Sequence, residues 1–357
     1  MRILVDLTHP AHVHFFRHPI AAWRARGHDV VLTTRDKDLA VGLVERFGLE
    51  PLVFDGGRVR SGHLGRARSG LAGLAVELVG RTARLLQIIR RAKPDVMAAI
   101  GGVFIAQAGF WSRVPSVVFY DTEHATLQNA LTYPFCTAVA TPRCYGGWVP
   151  KRKHVAYAGY HELAYTHPRY FTPDPGRLGA FGLSADEPFT VLRLVSWGAS
   201  HDVADHGFTG VRDAVETLER FGRVVISSEA ELPPELESRR LSGPLEDVHH
   251  LLALARLVIG ESATMASEAA TLGTPAIFVS TSRRGYTDEQ QERYGLVWTF
   301  DHPRDGQRLA LDKAVELLSA TSSDGSSDGP WAEKRRALLQ DTVDVTDFVV
   351  ELVESHG

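Results

Sequence analysis

GESATMASEAATLGTP, residues 260–275, continues the apolar run LARLVIG, residues 254–260, with no turn residue between them. A buried strand that runs straight into Gly-Glu-Ser-Ala-Thr and then into a helical segment builds an anion site. The first helical N–H groups have no intrahelical acceptor, and the helix dipole favours negative charge there. Ser262 can cap the helix and donate its hydroxyl to a phosphate oxygen, and Ala263 and Thr264 are small enough to let that phosphate approach. Glu268 follows about one and a half turns later, where a carboxylate can accept hydrogen bonds from ribose hydroxyls. The plain alternative is an N-capped helix with Ser262 as the cap and Glu268 in solvent. The local stretch leaves both readings open.

The rest of the chain supplies the setting. Its 357 residues are too many for one ordinary core and point to two domains. A hydrophobic content of 44% with 23% charged residues is that of a soluble globular protein. The formal net charge of −4 implies no general attraction to nucleic acid. Two cysteines, Cys136 and Cys144, make no disulfide framework, and MRILVDLT reads as a strand rather than a signal peptide. The expected location is the cytoplasm.

Short apolar strands alternate with helical segments over ILVDL (3–7), DVVLT (29–33), LVF (52–54), DVMAAI (95–100), SVVFY (116–120) and TAVAT (137–141). The pattern pauses between about 150 and 188 and restarts with FTVLRLVS, RVVIS, LVIG, AIFVS and LVWTF. Unbroken apolar strands between helices predict parallel sheets covered on both faces. The expected fold class is therefore α/β, with two Rossmann-like doubly wound domains facing a cleft. Residues 1–160 form an N-terminal acceptor or catalytic domain, 161–188 a linker, and 189–320 a nucleotide-sugar domain. A loop separates these from one C-terminal helix within 331–357.

The pattern Gly-x-Ser-x-x-x-x-x-Glu-Ala-x-x-x-Gly-x-Pro at 260–275 resembles the nucleotide site of GT-B glycosyltransferases, shared with the non-hydrolysing UDP-sugar 2-epimerases. The resemblance implies that Ser262, Ala263 and Thr264 hold a diphosphate and Glu268 a ribose. TDEQQERYG, residues 287–295, is similar to the Asp-x-Gln-Gln segment of the lipid-II-forming N-acetylglucosaminyltransferase, which implies sugar contacts for Gln290 and Gln291. A polar surface helix is the competing reading of that run. MRILVDLTHPAHVHFF, RGHDVVLTTRDKD, GYHELAYTHPRYFTPD and SWGASHD together resemble the domain-of-unknown-function family 354. That resemblance spans most of the chain but implies a fold family rather than a reaction.

HPAHVHFFRH places His9, His12, His14 and His18 directly after the first strand. A metal site lacks a nearby Cys or acidic ligand, and a structural role for His12 and His14 under the first helix competes with catalysis. As a general base, a histidine suits neutral pH, and either His9 or His12 can fill that role. FYDTEHATLQN, residues 119–129, ends a strand with Asp121, Glu123 and His124, plausible acid/base groups or loop hydrogen-bonding groups. Gly101 and Gly102 mark a close turn after another strand. In SWGASHD, Ser196 and Gly198 can face the phosphates, with His201 and Asp202 near the donor.

The epimerases and transferases diverge at the catalyst. The epimerase aspartate after a strand-end glycine matches Gly102 here, the epimerase Thr-Arg-Pro-Glu appears as Thr8-His9-Pro10-Ala11, and the His-Arg-Arg-Glu-Asn run is absent. The expectation is a metal-independent, nucleotide-sugar-dependent glycosyltransferase of polysaccharide or glycoconjugate biosynthesis. It needs no cofactor, takes a UDP-linked donor as substrate and uses a sugar or lipid-linked acceptor. An epimerase-like enzyme and a non-catalytic sugar-nucleotide-binding protein are the alternatives. A basic amphipathic stretch with Arg58, Arg60, Arg66, Arg68, Arg81, Arg84, Arg90, Arg91 and Lys93 against the single acid Glu77 suggests peripheral contact with the inner membrane face. A core helix with a solvated basic face is the other reading.

Overall fold

A computed structural model describes the chain apart from residues 35–37, 50–51, 54–70, 196–207, 209, 229–230 and 321–328. Two compact units emerge, one of residues 1–165 with 344–357 and one of residues 166–343. Each is a parallel α/β sandwich.

In the first unit β1 (Arg2–Leu7), α1 (Pro10–Ala25), β2 (Asp29–Thr34), α2 (Asp38–Arg46), β3 (Leu52–Val53), α3 (Leu71–Ala92) and β4 (Val96–Ile100) lead the chain. Then follow α4 (Val103–Ser112), β5 (Ser116–Phe119), α5 (Thr126–Thr132), β6 (Ala138–Pro142), β7 (His154–Tyr157) and the short α6 (Leu163–Thr166). Among the described residues the sheet order is β3-β2-β1-β4-β5-β6-β7, parallel throughout. The order reverses between β1 and β4, the place where an open α/β sheet leaves a crevice at its carboxyl edge.

Alternate strand residues serve the two faces. Leu4, Met97, Val118 and Val139 pack with Leu85 and Ile89 of α3 and Ile105 of α4. On the other face Phe15 of α1 meets Phe119 at 5.2 Å between ring centroids. A helix from the chain's end, α13 below, closes this face, and the Trp23 indole donates to the Val350 carbonyl at 3.4 Å.

The second unit contains β8 (Phe189–Leu194), α7 (Val211–Glu219), β9 (Arg223–Ser228), α8 (Val248–Leu254), β10 (Leu257–Gly260), α9 (Ala263–Leu272), β11 (Ala276–Val279) and α10 (Gly285–Glu289). After them come β12 (Val297–Phe300), α11 (Gly306–Ala320) and α12 (Pro330–Gln340), while α13 (Val345–Glu354) belongs to the first unit. The order is β12-β11-β10-β8-β9, again parallel, with its reversal between β8 and β10. Leu192, Ile226, Ile259 and Ile277 form a core with Val215 and Leu218 of α7 and Ala314 of α11.

Two expectations need correction. The segment 150–188 is not strand-free: HVAY forms β7, an edge strand whose outward residues His154 and Ala156 are exposed. The single C-terminal helix is two helices: α12 ends at Gln340, and Asp344 then caps α13 by accepting the Asp347 N–H at 3.1 Å. No helix among the described residues is long and apolar enough to cross a membrane.

Candidate active site

In the second unit the quoted stretch forms β10, a turn and α9. Gly260 is required by close approach: a Cβ there would lie 2.1 Å from the Arg193 carbonyl oxygen of β8. Ser262 is the N-cap, extended at φ −103° and ψ 110°, and its Oγ accepts the Met265 N–H at 3.3 Å. The hydroxyl hydrogen is a donor beyond that bond, and the Ala263 and Thr264 N–H groups point out of the helix end with no intrahelical acceptor.

Glu268 is not solvated, contrary to the plain reading of the stretch. It is buried, and His249 Nε2 of α8 lies 3.1 Å from its Oε1. The Glu268 side chain keeps 11% of its surface accessible against 1% for His249, so the imidazole orients the carboxylate from beneath.

Glu261 has a role the sequence reading did not assign. Its buried carboxylate accepts the Val195 N–H at 2.7 Å and the Phe208 N–H at 2.5 Å. It thereby fixes the backbone at the switch point between β8 and β10. Ser196, Gly198, His201 and Asp202 lie outside the described residues.

The two glutamines serve the unit's interior. Gln290 is fully buried, and its amide donates to Ser267 Oγ at 2.7 Å. Gln291 Oε1 accepts the Thr299 N–H at 2.7 Å. The surface-helix reading does not describe Gln290, whose buried Oε1 meets no hydrogen-bond partner among the described residues.

In the first unit the four histidines separate. His9 is exposed and caps α1, its Nδ1 accepting the Ala11 N–H at 3.2 Å. His14 is buried and packs against Phe47 and Tyr165. Burial first, and then Arg17, push the His18 imidazole down to about 4, so it is neutral at pH 7. His12 is half-buried beside the β1 exit, with Thr8 Oγ1 3.3 Å from its Nδ1.

The acid at the end of β5 is the centre of this group. Asp121 Oδ2 lies 3.0 Å from His161 Nδ1, and Thr122 Oγ1 donates to Oδ1 at 2.9 Å. Burial pushes the Asp121 carboxyl up, but the His161 charge and hydrogen bond outweigh it, with Thr122 and His12 adding, and hold it below the usual range. Burial likewise pushes His161 down, and the Asp121 carboxylate overcomes this and raises it. Both shifts favour the charged pair, an imidazolium beside a carboxylate. Two further atoms here, His161 Nε2 and Tyr157 Oη, are buried and meet no hydrogen-bond partner among the described residues, and the rings lie nearly parallel at 6.4 Å. Burial of that kind is costly for a polar atom and marks functional sites.

Glu123 and His124 lie just beyond. Glu123 is half-buried with Oε1 3.5 Å from the Gly146 nitrogen, and His124 is exposed. Gly101 and Gly102 make the expected close turn after β4. Gly102 has φ +55°, and a Cβ on it would lie 2.5 Å from Val118 Cγ1. Among the described residues no three His, Cys, Asp or Glu side chains gather as a metal site.

His161 was the residue hidden from the sequence. It stands in GYHELAYTH, within the presumed linker, and its partner is distant in the chain. A histidine four residues past an unrecognised edge strand carried no local signal.

An uncharacterized protein of Methanocaldococcus jannaschii, MJ0665, is 24% identical over 295 residues, which cover 77% of this chain and 80% of that protein. A crystal structure of a putative UDP-N-acetylglucosamine 2-epimerase from Listeria monocytogenes is similar with a TM-score of 0.64 at 12% identity, covering 100% of this chain and 96% of that one. The spinosyn rhamnosyltransferase SpnG matches with a TM-score of 0.62 at 14% identity, covering 99% and 100%. These likenesses show that the fold is of the GT-B type. The model of the family described as "Protein of unknown function (DUF354)" matches residues 1–288, and the chain belongs to that family.

Proposed function

We propose that the chain is a nucleotide-sugar-dependent glycosyltransferase that takes a UDP-linked donor and an acceptor of polysaccharide or glycoconjugate synthesis. The observation that carries this reading is the Ser262-capped start of α9 at the switch point of the second sheet. Its free amides and dipole stabilise a diphosphate leaving group as charge builds on it. Glu268, oriented by His249, takes the ribose hydroxyls. The first unit supplies the base: His12 accepts the acceptor's hydroxyl proton, and the Asp121 carboxylate stabilises the imidazolium that results. His161 holds Asp121 in place. The mechanism calls on no metal.

The likeness to epimerases makes epimerisation the second reading. That reaction needs acid and base groups at the sugar's C2 and C3, and Gly102 stands where the epimerases carry an aspartate. Incubation with UDP-N-acetylglucosamine and other UDP-sugars in D₂O, without acceptor, separates the readings. A transferase slowly releases UDP and leaves C2 free of deuterium. Deuterium at C2 would establish the epimerase, and tight binding with no turnover under any acceptor would mark a binding protein.

A further inference from the structure

The first unit carries an aromatic surface that its own core does not use. Phe110 and Trp111, at the end of α4, are 54% and 68% exposed, and Trp148 is 76% exposed. Ring contacts tie both groups to the turn at 133–136. The Phe110 ring stacks edge-on against Trp111 at 5.5 Å and against Phe135 at 5.3 Å. Two residues before Phe135, Tyr133 meets the Trp148 ring at 6.4 Å.

The surface is rigidly held. Lys153 Nζ donates to the Tyr133, Pro134 and Cys136 carbonyls at 2.9, 2.8 and 2.7 Å, which pins the turn between the two aromatic pairs. Its position in the fold is equally definite. Residues 110–113 precede β5, residues 133–136 precede β6 and residues 148–153 precede β7. In a parallel sheet these are all amino ends, the edge opposite the one that carries His12 and Asp121.

Charge at this edge is predominantly positive. From Val96 to His161 the only acids are Asp121 and Glu123, both at the carboxyl edge. Arg113, Lys151 and Arg152 stand within four residues of Trp111 or Trp148 in the chain, and Arg90 and Arg91 at the end of α3 are followed by Lys93 just before β4. All six are exposed, and none forms an ion pair among the described residues. Asp95, the acid at the start of β4, accepts the Arg2 N–H at 2.6 Å. Several surface arginines elsewhere are paired, as Arg239 with Glu219 and Arg293 with Asp341.

We infer that this amino-terminal edge, between β4 and β7, docks on an anionic membrane surface. Tryptophan and phenylalanine rings favour the headgroup region, where an apolar body meets a wet boundary. Unpaired arginines and lysines beside them gain attraction to anionic headgroups that a neutral bilayer does not give. A protein partner would need acids placed against six cations spread over three segments, whereas a lipid surface supplies negative charge at every position. The apolar face of α3 is not part of this surface, because Leu85 and Ile89 are buried in the core. Arg81 also leaves it, stacking over Phe104 at 4.4 Å. The basic helix anticipated from sequence thus contributes its C-terminal cations and not the apolar residues Leu85 and Ile89; Arg58, Arg60, Arg66 and Arg68 lie outside the described residues. The inference stands independently of the reaction proposed above.

Vesicle co-sedimentation of the full chain tests it. Phosphatidylcholine vesicles with about one-third phosphatidylglycerol should pellet the protein at low salt, pure phosphatidylcholine should not, and added salt should release it. Trp111→Ser with Trp148→Ser, and separately Lys151→Glu with Arg152→Glu, should each weaken partitioning by about tenfold or more while the thermal midpoint holds. Wild-type protein that stays in solution with anionic vesicles at low salt overturns the inference. So does equal pelleting of both variants. A wild-type dimer in sedimentation velocity that the tryptophan variant dissolves, without vesicle binding, would instead assign the face to a second copy of the chain.

Discussion

His161 Nδ1 and Asp121 Oδ2 lie 3.0 Å apart, joining the segment after β7 to the end of β5. Their shifts set a pH signature. His161 is raised above 6.5, so its contribution to stability is complete below that value and is lost as pH rises through the folded-state value. Asp121 is lowered below 3.8, so its contribution is complete above that value and is lost as pH falls through the folded-state value. Asp121→Asn should therefore lower the thermal midpoint most between about pH 4 and pH 6.5, with the gap to wild type narrowing toward pH 9. Removing one member of a buried pair costs about 3 kcal/mol at the lower end, the end that fits an Asp121 side chain that is 21% exposed. A gap that widens with rising pH would contradict the ion pair.

His9 and His12 should part in kinetics. His9 spends Nδ1 on the α1 cap, so His9→Ala should cost about 1 kcal/mol of stability and little turnover. On the proposed mechanism His12→Ala should lower kcat by about a hundredfold or more with the affinity for UDP unchanged, because a base contributes in the transition state and the proposed nucleotide site belongs to the other unit. Full turnover in His12→Ala moves the base to Asp121 or Glu123.

Ser262→Ala combined with Glu268→Ala should abolish UDP binding in calorimetry. The serine is worth about 1 kcal/mol as a cap, whereas losing Glu268 also removes its buried contact with His249, so the single Ser262→Ala variant, with a thermal midpoint only a few degrees lower and weakened UDP binding, separates lost binding from lost folding. Helix amides and a hydroxyl, rather than a cation, face the diphosphate in this reading. UDP affinity and turnover should then be the same in EDTA as in Mg²⁺. Activity lost to EDTA and restored by Mg²⁺ would replace the metal-free mechanism.

How far the sequence reached is a matter of range. β1, β4, β5, β10 and β11 are central strands, buried on both faces, and such strands show as continuous apolar runs. β7 is an edge strand, and its exposed His154 and Ala156 break the run, so it was passed over. The turn at 260–264 was legible because strand, glycine, cap and helix are adjacent in the chain. Pairs such as Asp121 with His161 or Glu268 with His249 are made by tertiary folding and have no local period. The burial of Gln290 belongs to the same class: a polar run at helical spacing reads as surface until its neighbours α9 and β12 are known.

Glu261 offers the sharpest test of how the second unit's switch point is held. Its two oxygens accept separate backbone N–H groups, from Val195 at 2.7 Å and from Phe208 at 2.5 Å. Glutamine has the same shape but only one acceptor oxygen, and its NH₂ would face the other N–H. Glu261→Gln should thus leave one buried donor unmet and cost about 2–3 kcal/mol. Glu261→Asp shortens the reach by one methylene and should lose both bonds in part. Urea unfolding should show a lower midpoint with an unchanged m-value for the glutamine variant, since the folded unit buries the same surface. UDP affinity should fall as well, because Glu261 is covalently next to Ser262 and sets the backbone that presents the cap. Wild-type stability in Glu261→Gln would mean that these two N–H groups find other acceptors, and that the carboxylate does not hold the switch point.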